Sequence, residues 1–227
     1  MTVRANGQTD PAEIAAALKL PPCTRLLLIS GGAGQMTGQM FPRLKALFAE
    51  VGRVIAQQHG TIIDGGTQAG VMQLMGEALA QAGKNVAHIG VLPAYADTGQ
   101  AGVLAEDIME PHHSAFVLVD GYVWCDEVET MYRLGGYLYA TVPSVTMLIT
   151  GGAIAVHEIE WNVPQQREVI VLAGSGRLAD EIAAAVHNPQ ANVRDRIASI
   201  IRNGRLTIFD VDSPPEALGQ LLEQRLN

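Results

Sequence analysis

Two cysteines, 5% aromatic side chains and fewer basic than acidic groups among 227 residues define what this chain does without. Cys23 and Cys125 belong to no CxxC pair, so no disulfide framework is expected and a reducing cytoplasm is the default setting. With 15 Lys and Arg against 23 Asp and Glu the net charge is −8. That disfavours nucleic-acid binding, which depends on cations neutralising phosphates, yet leaves room for a small anion held by a local field. The longest apolar run, Val142 to Val156, is broken by Pro143, Ser144, Thr146, Thr150, Gly151 and Gly152. It falls short of the about 20 apolar residues a membrane span needs, so no direct membrane insertion is expected. Met1 to Asp10 is polar and has no apolar signal core. Scarce aromatics leave a mostly aliphatic core.

What is present is a recurring unit, a short apolar run ending in a turn. Arg25–Ser30, Gly60–Ile63, Val86–Leu92, Ala115–Val119, Ser144–Ile149, Glu168–Ala173 and Arg205–Phe209 are candidate strands, and five of the seven finish in a Gly-containing turn. Their apolar character is continuous rather than alternating, which indicates strands covered on both faces and a parallel sheet. Helical patterns fill the gaps. Leu44, Leu47, Phe48, Val51, Val54 and Ile55 recur at helical spacing, with further helices expected from Val71, Asp126 to Tyr139, Ile154 to about Asn162 (stopped before Pro164), Leu178, Val193 and Pro215. Alternating strands and helices give a Rossmann-like, doubly wound, mainly parallel α/β sheet of about seven strands. Residues 1–22 are expected to form an N-terminal arm with one helix, Pro11 to Leu20, and residues 23–227 one ligand-binding domain. Ala94 to Pro111 reads as a loop that could act as a flap.

Ligands of such sheets bind beyond the carboxyl ends of the strands. Here that edge carries Gly31, Gly32, Ala33, Gly34, Gly65, Gly66, Thr67, Gly121, Gly151, Gly152, Gly174 and Gly176. The run Arg167 to Ile182 is the most informative. A buried strand ends in Gly174-Ser175-Gly176, and a helix follows at once, geometry that aims backbone N–H groups and a helix dipole at an anion. Arg177 adds a planar fork suited to phosphate. Tight turns also use glycine without any ligand, but the collection favours one of nucleotide size. No dinucleotide fingerprint is present, and no Walker lysine. Asp120, Asp126, Glu127 and Glu129 surround the start of one helix. Asp126 and Glu129 could form an acidic capping box, while Asp120 or Glu129 could accept ribose hydroxyls or act as a base, with Arg133 one turn on. His112 and His113 are adjacent, and neighbours on a strand point to opposite faces; no metal is assigned.

Gly31-Gly32-Ala33-Gly34, Asp64-Gly65-Gly66-Thr67-Gln68-Ala69-Gly70-Val71-Met72, Phe116 to Gly121 with Glu127 and Glu129, Thr150-Gly151-Gly152, and above all Ala173 to Asp180 resemble the SLOG superfamily. More narrowly, they resemble its prokaryotic LSDAT branch, which is similar to the cytosolic N-terminal domain of melastatin-type TRP channels. The resemblance covers about residues 24 to 186. It implies a Rossmann-like sheet that binds a nucleotide or NAD-derived ligand such as ADP-ribose, with no certain resident cofactor. The same superfamily is related to phosphoribohydrolases once described as lysine decarboxylases, which carry a Pro-Gly-Gly-x-Gly-Thr-x-x-Glu turn. Here Val119-Asp120-Gly121-Tyr122-Val123-Trp124 stands in its place, without the Gly-Thr.

Two functions are therefore expected of the chain. In the first it senses or binds a nucleotide such as ADP-ribose, with the Gly31, Gly65, Gly151 and Gly174 turns around phosphates and sugar and Arg177 neutralising charge. In the second it hydrolyses the N-glycosidic or phosphoanhydride bond of that ligand through Glu129, with Arg133 or Arg177 on phosphate. A chain of this size and class is also expected to form a homo-oligomer.

Overall fold

Chain segments that are apolar without interruption can lie only where both faces are covered, and they build the middle of the sheet. The computed structural model describes residues 1–32, 40–83, 86–95, 105–188, 190 and 192–227. Its strands are β1 (Thr2–Ala5), β2 (Leu26–Gly31), β3 (Thr61–Asp64), β4 (Ala87–Pro93), β5 (Ala115–Val119), β6 (Ser144–Ile149), β7 (Glu168–Ala173) and β8 (Arg205–Asp210). They form one sheet in the order β1-β5-β4-β3-β2-β6-β7-β8. Every neighbouring pair is parallel. The fold is thus a Rossmann-like α/β sheet. The strand without a counterpart in the sequence reading is β1. Thr2 to Ala5 is short and largely exposed, so no apolar run marks it, yet it pairs along β5 from Thr2↔Phe116 to Ala5↔Val119. The segment expected to be an arm supplies an edge of the sheet.

The helices are α1 (Pro11–Leu18), α2 (Met40–Gln57), α3 (Gly70–Ala82), α4 (Val128–Tyr139), α5 (Ala153–Gln165), α6 (Arg177–His187), α7 (Asp195–Asn203) and α8 (Pro215–Arg225). β2 shows how they cover both faces. Leu27 and Ile29 pack into the cluster with Leu44, Phe48 and Val51 of α2, while Leu26 and Leu28 join Tyr132 and Leu134 of α4. Each such side chain, fully buried, contributes roughly 1.5–3 kcal/mol relative to exposure. α5 runs past the expected stop, with Pro164 inside its last turn. Gln166, in left-handed geometry, ends it and donates its N–H back to the carbonyls of Asn162 and Val163. A proline this close to the end forfeits little, because the helix has almost finished.

Among the described residues no helix is long and apolar enough to cross a membrane. The sheet grows outward from β2 in two directions, through β3 on one side and β6 on the other. Connections leaving β2 and β6 diverge to opposite sides, which opens a crevice at their carboxyl ends.

Candidate ligand-binding crevice

A cavity of about 620 Å³ fills that crevice, within the about 300–1,000 Å³ usual for small-molecule sites. Gly31 and Gly32 after β2, Gly65 and Thr67 after β3, and Gly152 and Arg177 line it. The glycines are required by close approach. A Cβ on Gly31 would stand 2.7 Å from the Ile149 carbonyl oxygen, and one on Gly152 would stand 2.9 Å from a guanidinium nitrogen of Arg177. α5 begins at the same wall, and Ala153, Ile154 and Ala155 line the cavity. Its N-cap is Gly152, with no side-chain cap. The first N–H groups of α5 are thus left for an anion at the positive end of the helix dipole. α3, whose N-cap is Ala69, is likewise uncapped by any side chain.

The Gly174-Ser175-Gly176 turn does something else. Of the N–H groups that its strand–turn–helix pattern gathers, those of Gly174, Ser175, Leu178 and Ala179 are already occupied. Ala179 N–H donates to the Thr150 carbonyl at 2.9 Å and Leu178 N–H to that of Gly151 at 3.4 Å. Ser175 is buried; its hydroxyl donates to the Leu172 carbonyl at 2.6 Å and accepts from the Thr150 N–H at 2.8 Å. Gly174 N–H is bound by Asp180. The turn braces the neighbouring Thr150-Gly151-Gly152 turn, and Thr150 in turn accepts from Gly32 N–H at 3.1 Å. Gly174, Ser175, Gly176 and Gly151 do not line the cavity; Arg177 alone of the Gly174–Arg177 turn reaches it. Thr150 and Arg177 both hold a φ of 54°, a conformation costing a non-glycine residue roughly 1–3 kcal/mol. The two strained residues belong to adjoining turns, joined by the Ala179 N–H to Thr150 carbonyl bond.

Gly66 sits one layer deeper. Its N–H donates to Asp64 Oδ1 at 2.8 Å, its carbonyl accepts from Glu110 N–H, and its φ is 65°. A Cβ there would lie 2.8 Å from Gly90 Cα and 2.7 Å from Leu92. Gly66→Ala is therefore expected to destabilise the protein by roughly 2 kcal/mol, combining left-handed backbone cost with overpacking; a denaturant midpoint measures it. Ala33 and Gly34 lie outside the described residues.

The carboxylate-rich segment is brought to the crevice in a different register from the one expected. Asp126 caps its own turn, accepting from Tyr122 and Val123 N–H. Asp120 is exposed, and its N–H donates to the Ala5 carbonyl; the Gly121 carbonyl accepts from Tyr95 N–H. Neither lines the cavity. Glu129 is exposed, and Arg133 donates to the Gly7 carbonyl at 2.7 Å. These two share a helix face four residues apart, turned away from the cavity.

Glu127 and Glu158 take the place expected of Glu129. Both line the cavity and both are buried. Glu127 sits at the start of α4, where Oε2 accepts from Cys125 N–H at 2.9 Å. Glu158 projects from α5 and accepts from the Ser30 hydroxyl at 2.5 Å. Burial pushes each carboxyl up to about 7, and the proximity of other carboxylates adds to the rise. At neutral pH each is poised to hold or give a proton. The sequence did contain a signal for Glu158: an acid inside the buried stripe Ala155, Val156, Ile159 and Asn162 of α5.

Beside the crevice, under the Gly65-Gly66-Thr67 turn, lies a second polar group. Asp64 is fully buried at the end of β3 and does not line the cavity. Its Oδ2 meets His88 Nε2 and its Oδ1 meets His113 Nε2, each at 2.8 Å. His113 Nδ1 meets Glu110 Oε2 at 2.8 Å, and His112 binds the other oxygen of Glu110 from a half-exposed position. His112 and His113 precede β5, so the rule of opposite strand faces does not apply to them, and both meet Glu110; His113 also converges with His88 of β4 on Asp64.

Fold and crevice together define a doubly wound, Rossmann-like α/β protein with a small-molecule-sized cavity at the point where strand order reverses. A family model described as "SLOG in TRPM, prokaryote" matches residues 24–219, and the chain belongs to that family. Among solved structures it is similar to the X-ray structure of TM1055, a structural-genomics target, with a TM-score of 0.58 and 21% identity, covering 88% of this chain and 99% of that one. At that identity the likeness concerns the fold alone.

Proposed function

We propose that this protein binds a nucleotide or NAD-derived molecule, of which ADP-ribose is the type, in the crevice between β2 and β6. The observation that carries the reading is convergence. An uncapped helix N-terminus, glycine turns from β2, β3 and β6, and the Arg177 guanidinium face one cavity of nucleotide size. Among the described residues Arg177 makes no ion pair. Phosphate fits between α5 and Arg177, and Trp124, which lines the same cavity, offers a flat apolar surface to a base. Calorimetric titration with ADP-ribose, NAD, AMP and a cyclic nucleotide tests the reading. Saturable one-site binding of at least one supports it, and no heat from any at millimolar concentration rejects it.

A specific observation favours a second reading, cleavage of the N-glycosidic bond of such a ligand. Counted from Val119, the ninth position of the phosphoribohydrolase-type turn is Glu127, and Glu127 lines the cavity beside Glu158. A carboxyl near 7 is matched to proton transfer at neutral pH. Chromatography after incubation with AMP or ADP-ribose separates the readings: release of free base that is lost in Glu127→Gln supports hydrolysis, and intact nucleotide supports sensing. The same proposal carries a cytoplasmic homo-oligomer, which light scattering on the purified chain checks for its assembly.

A further inference from the structure

We propose that Asp64, His88 and His113 form a binding site for a divalent first-row transition ion of the zinc class, distinct from the crevice. The three groups come from separate parts of the sheet and are all buried. Each offers a ligand atom, and these atoms lie within 4.8 Å of one another. The two imidazole rings stack with centroids 3.5 Å apart and present their Nε2 atoms to one carboxylate. Tetrahedral ligands at about 2.0–2.1 Å from an ion stand roughly 3.3 Å apart. An ion therefore enters by widening the two 2.8 Å contacts by about half an ångström.

Two further features belong to a metal site rather than to a simple buried salt link. The first is the outer carboxylate. A histidine that ligates a metal commonly donates its other ring N–H to a carboxylate, which fixes the tautomer. Glu110 stands at 2.8 Å from His113 Nδ1 in that role. Room for it is made by Gly76, inside α3, where a Cβ would fall 2.3 Å from a Glu110 oxygen. Glycine in a helix interior costs roughly 0.5–1 kcal/mol against alanine, and here the missing methyl seats the carboxylate.

The second is charge. Asp64 and Glu110 bring two carboxylates to His113, and Glu110 meets the half-exposed His112 with its other oxygen. A dication with two neutral imidazoles and these two carboxylates is neutral, and a buried charge is tolerated only when compensated. The ion would hold β3, β4 and the segment leading into β5 together, and would fix the Gly65-Gly66-Thr67 turn, because Asp64 also accepts from Gly66 N–H.

Cobalt(II) titration of the whole chain, stripped with a chelator and confirmed folded by circular dichroism, tests the proposal without reference to any nucleotide. One equivalent of cobalt per chain, visible d–d absorption, displacement by zinc and a higher melting temperature with zinc are expected. His88→Gln is expected to weaken zinc binding at least tenfold, and His157→Gln, on the surface of α5, to leave it unchanged. If His88→Gln does not fold, the wild-type cobalt spectrum still decides. No d–d band and no zinc retained at micromolar concentration would overturn the site and leave a proton-linked network. A band that persists in His88→Gln would also overturn it, because the ion would lie elsewhere.

Discussion

Arg177→Ala is expected to weaken binding of ADP-ribose about ten- to a hundredfold. A hydrogen bond to a charged group contributes about 1.5–3 kcal/mol, and each 1.4 kcal/mol is about tenfold in affinity. Arg177 reaches the cavity with its guanidinium close to Gly152 at the start of α5, where two positive features act on one phosphate. Arg177→Gly should lose as much affinity while giving a more stable protein than Arg177→Ala. At a φ of 54° a non-glycine residue costs roughly 1–2 kcal/mol. Glycine escapes that but gives back roughly 0.5–1 kcal/mol of chain entropy. Calorimetry and thermal denaturation on both variants read the two effects separately. Unchanged affinity would remove Arg177 from the binding account.

The second large effect is a loss of stability as pH rises from 4.5 to about 7, centred on Glu158. Its carboxyl is raised from an ordinary 4.5 to about 7 in the folded protein. Between these values the folded state holds a proton that the unfolded state has released. Stability therefore falls with increasing pH across the window, the contribution being complete below 4.5 and lost through 7. At about 1.4 kcal/mol per unit, Glu158 accounts for a decline on the order of 3 kcal/mol. Glu127, raised in the same direction, adds to it. Glu158→Gln should flatten the decline, as read by urea midpoints at successive pH values; curves that stay parallel to wild type would contradict the assignment. The same ionisation places two negative charges beside an anionic ligand, so nucleotide affinity should also drop above pH 7.

The residues that carry these effects were unequally legible in the sequence. The seven apolar runs were readable because strands covered on both faces need continuous apolar character, whereas β1 at the edge does not. The glycine turns after β2, β3 and β6 were readable as close approaches, and Arg177 as a phosphate group. What pattern does not record is who binds whom. The Gly174–Gly176 turn looked like an anion cradle, but the N–H groups of Gly174, Ser175, Leu178 and Ala179 are spent on Asp180, Leu172, Gly151 and Thr150. Glu129 looked like the base, yet two residues on a helix rotate a side chain by about 200°, and Glu129 is exposed while Glu127 is buried. Glu158, His88 and His113 meet their partners only through tertiary packing. Their one local trace is a polar residue inside an apolar run, as His88 is within Val86 to Leu92.

The central claim is the place of binding, and a crystal structure of the protein with ADP-ribose tests it most directly. Phosphate density is expected between the first N–H groups of α5 and the Arg177 guanidinium, with the rest of the ligand in the cavity bounded by Gly31, Thr67 and Trp124. An empty crevice at saturating ligand, or ligand bound on another face of the sheet, would contradict it.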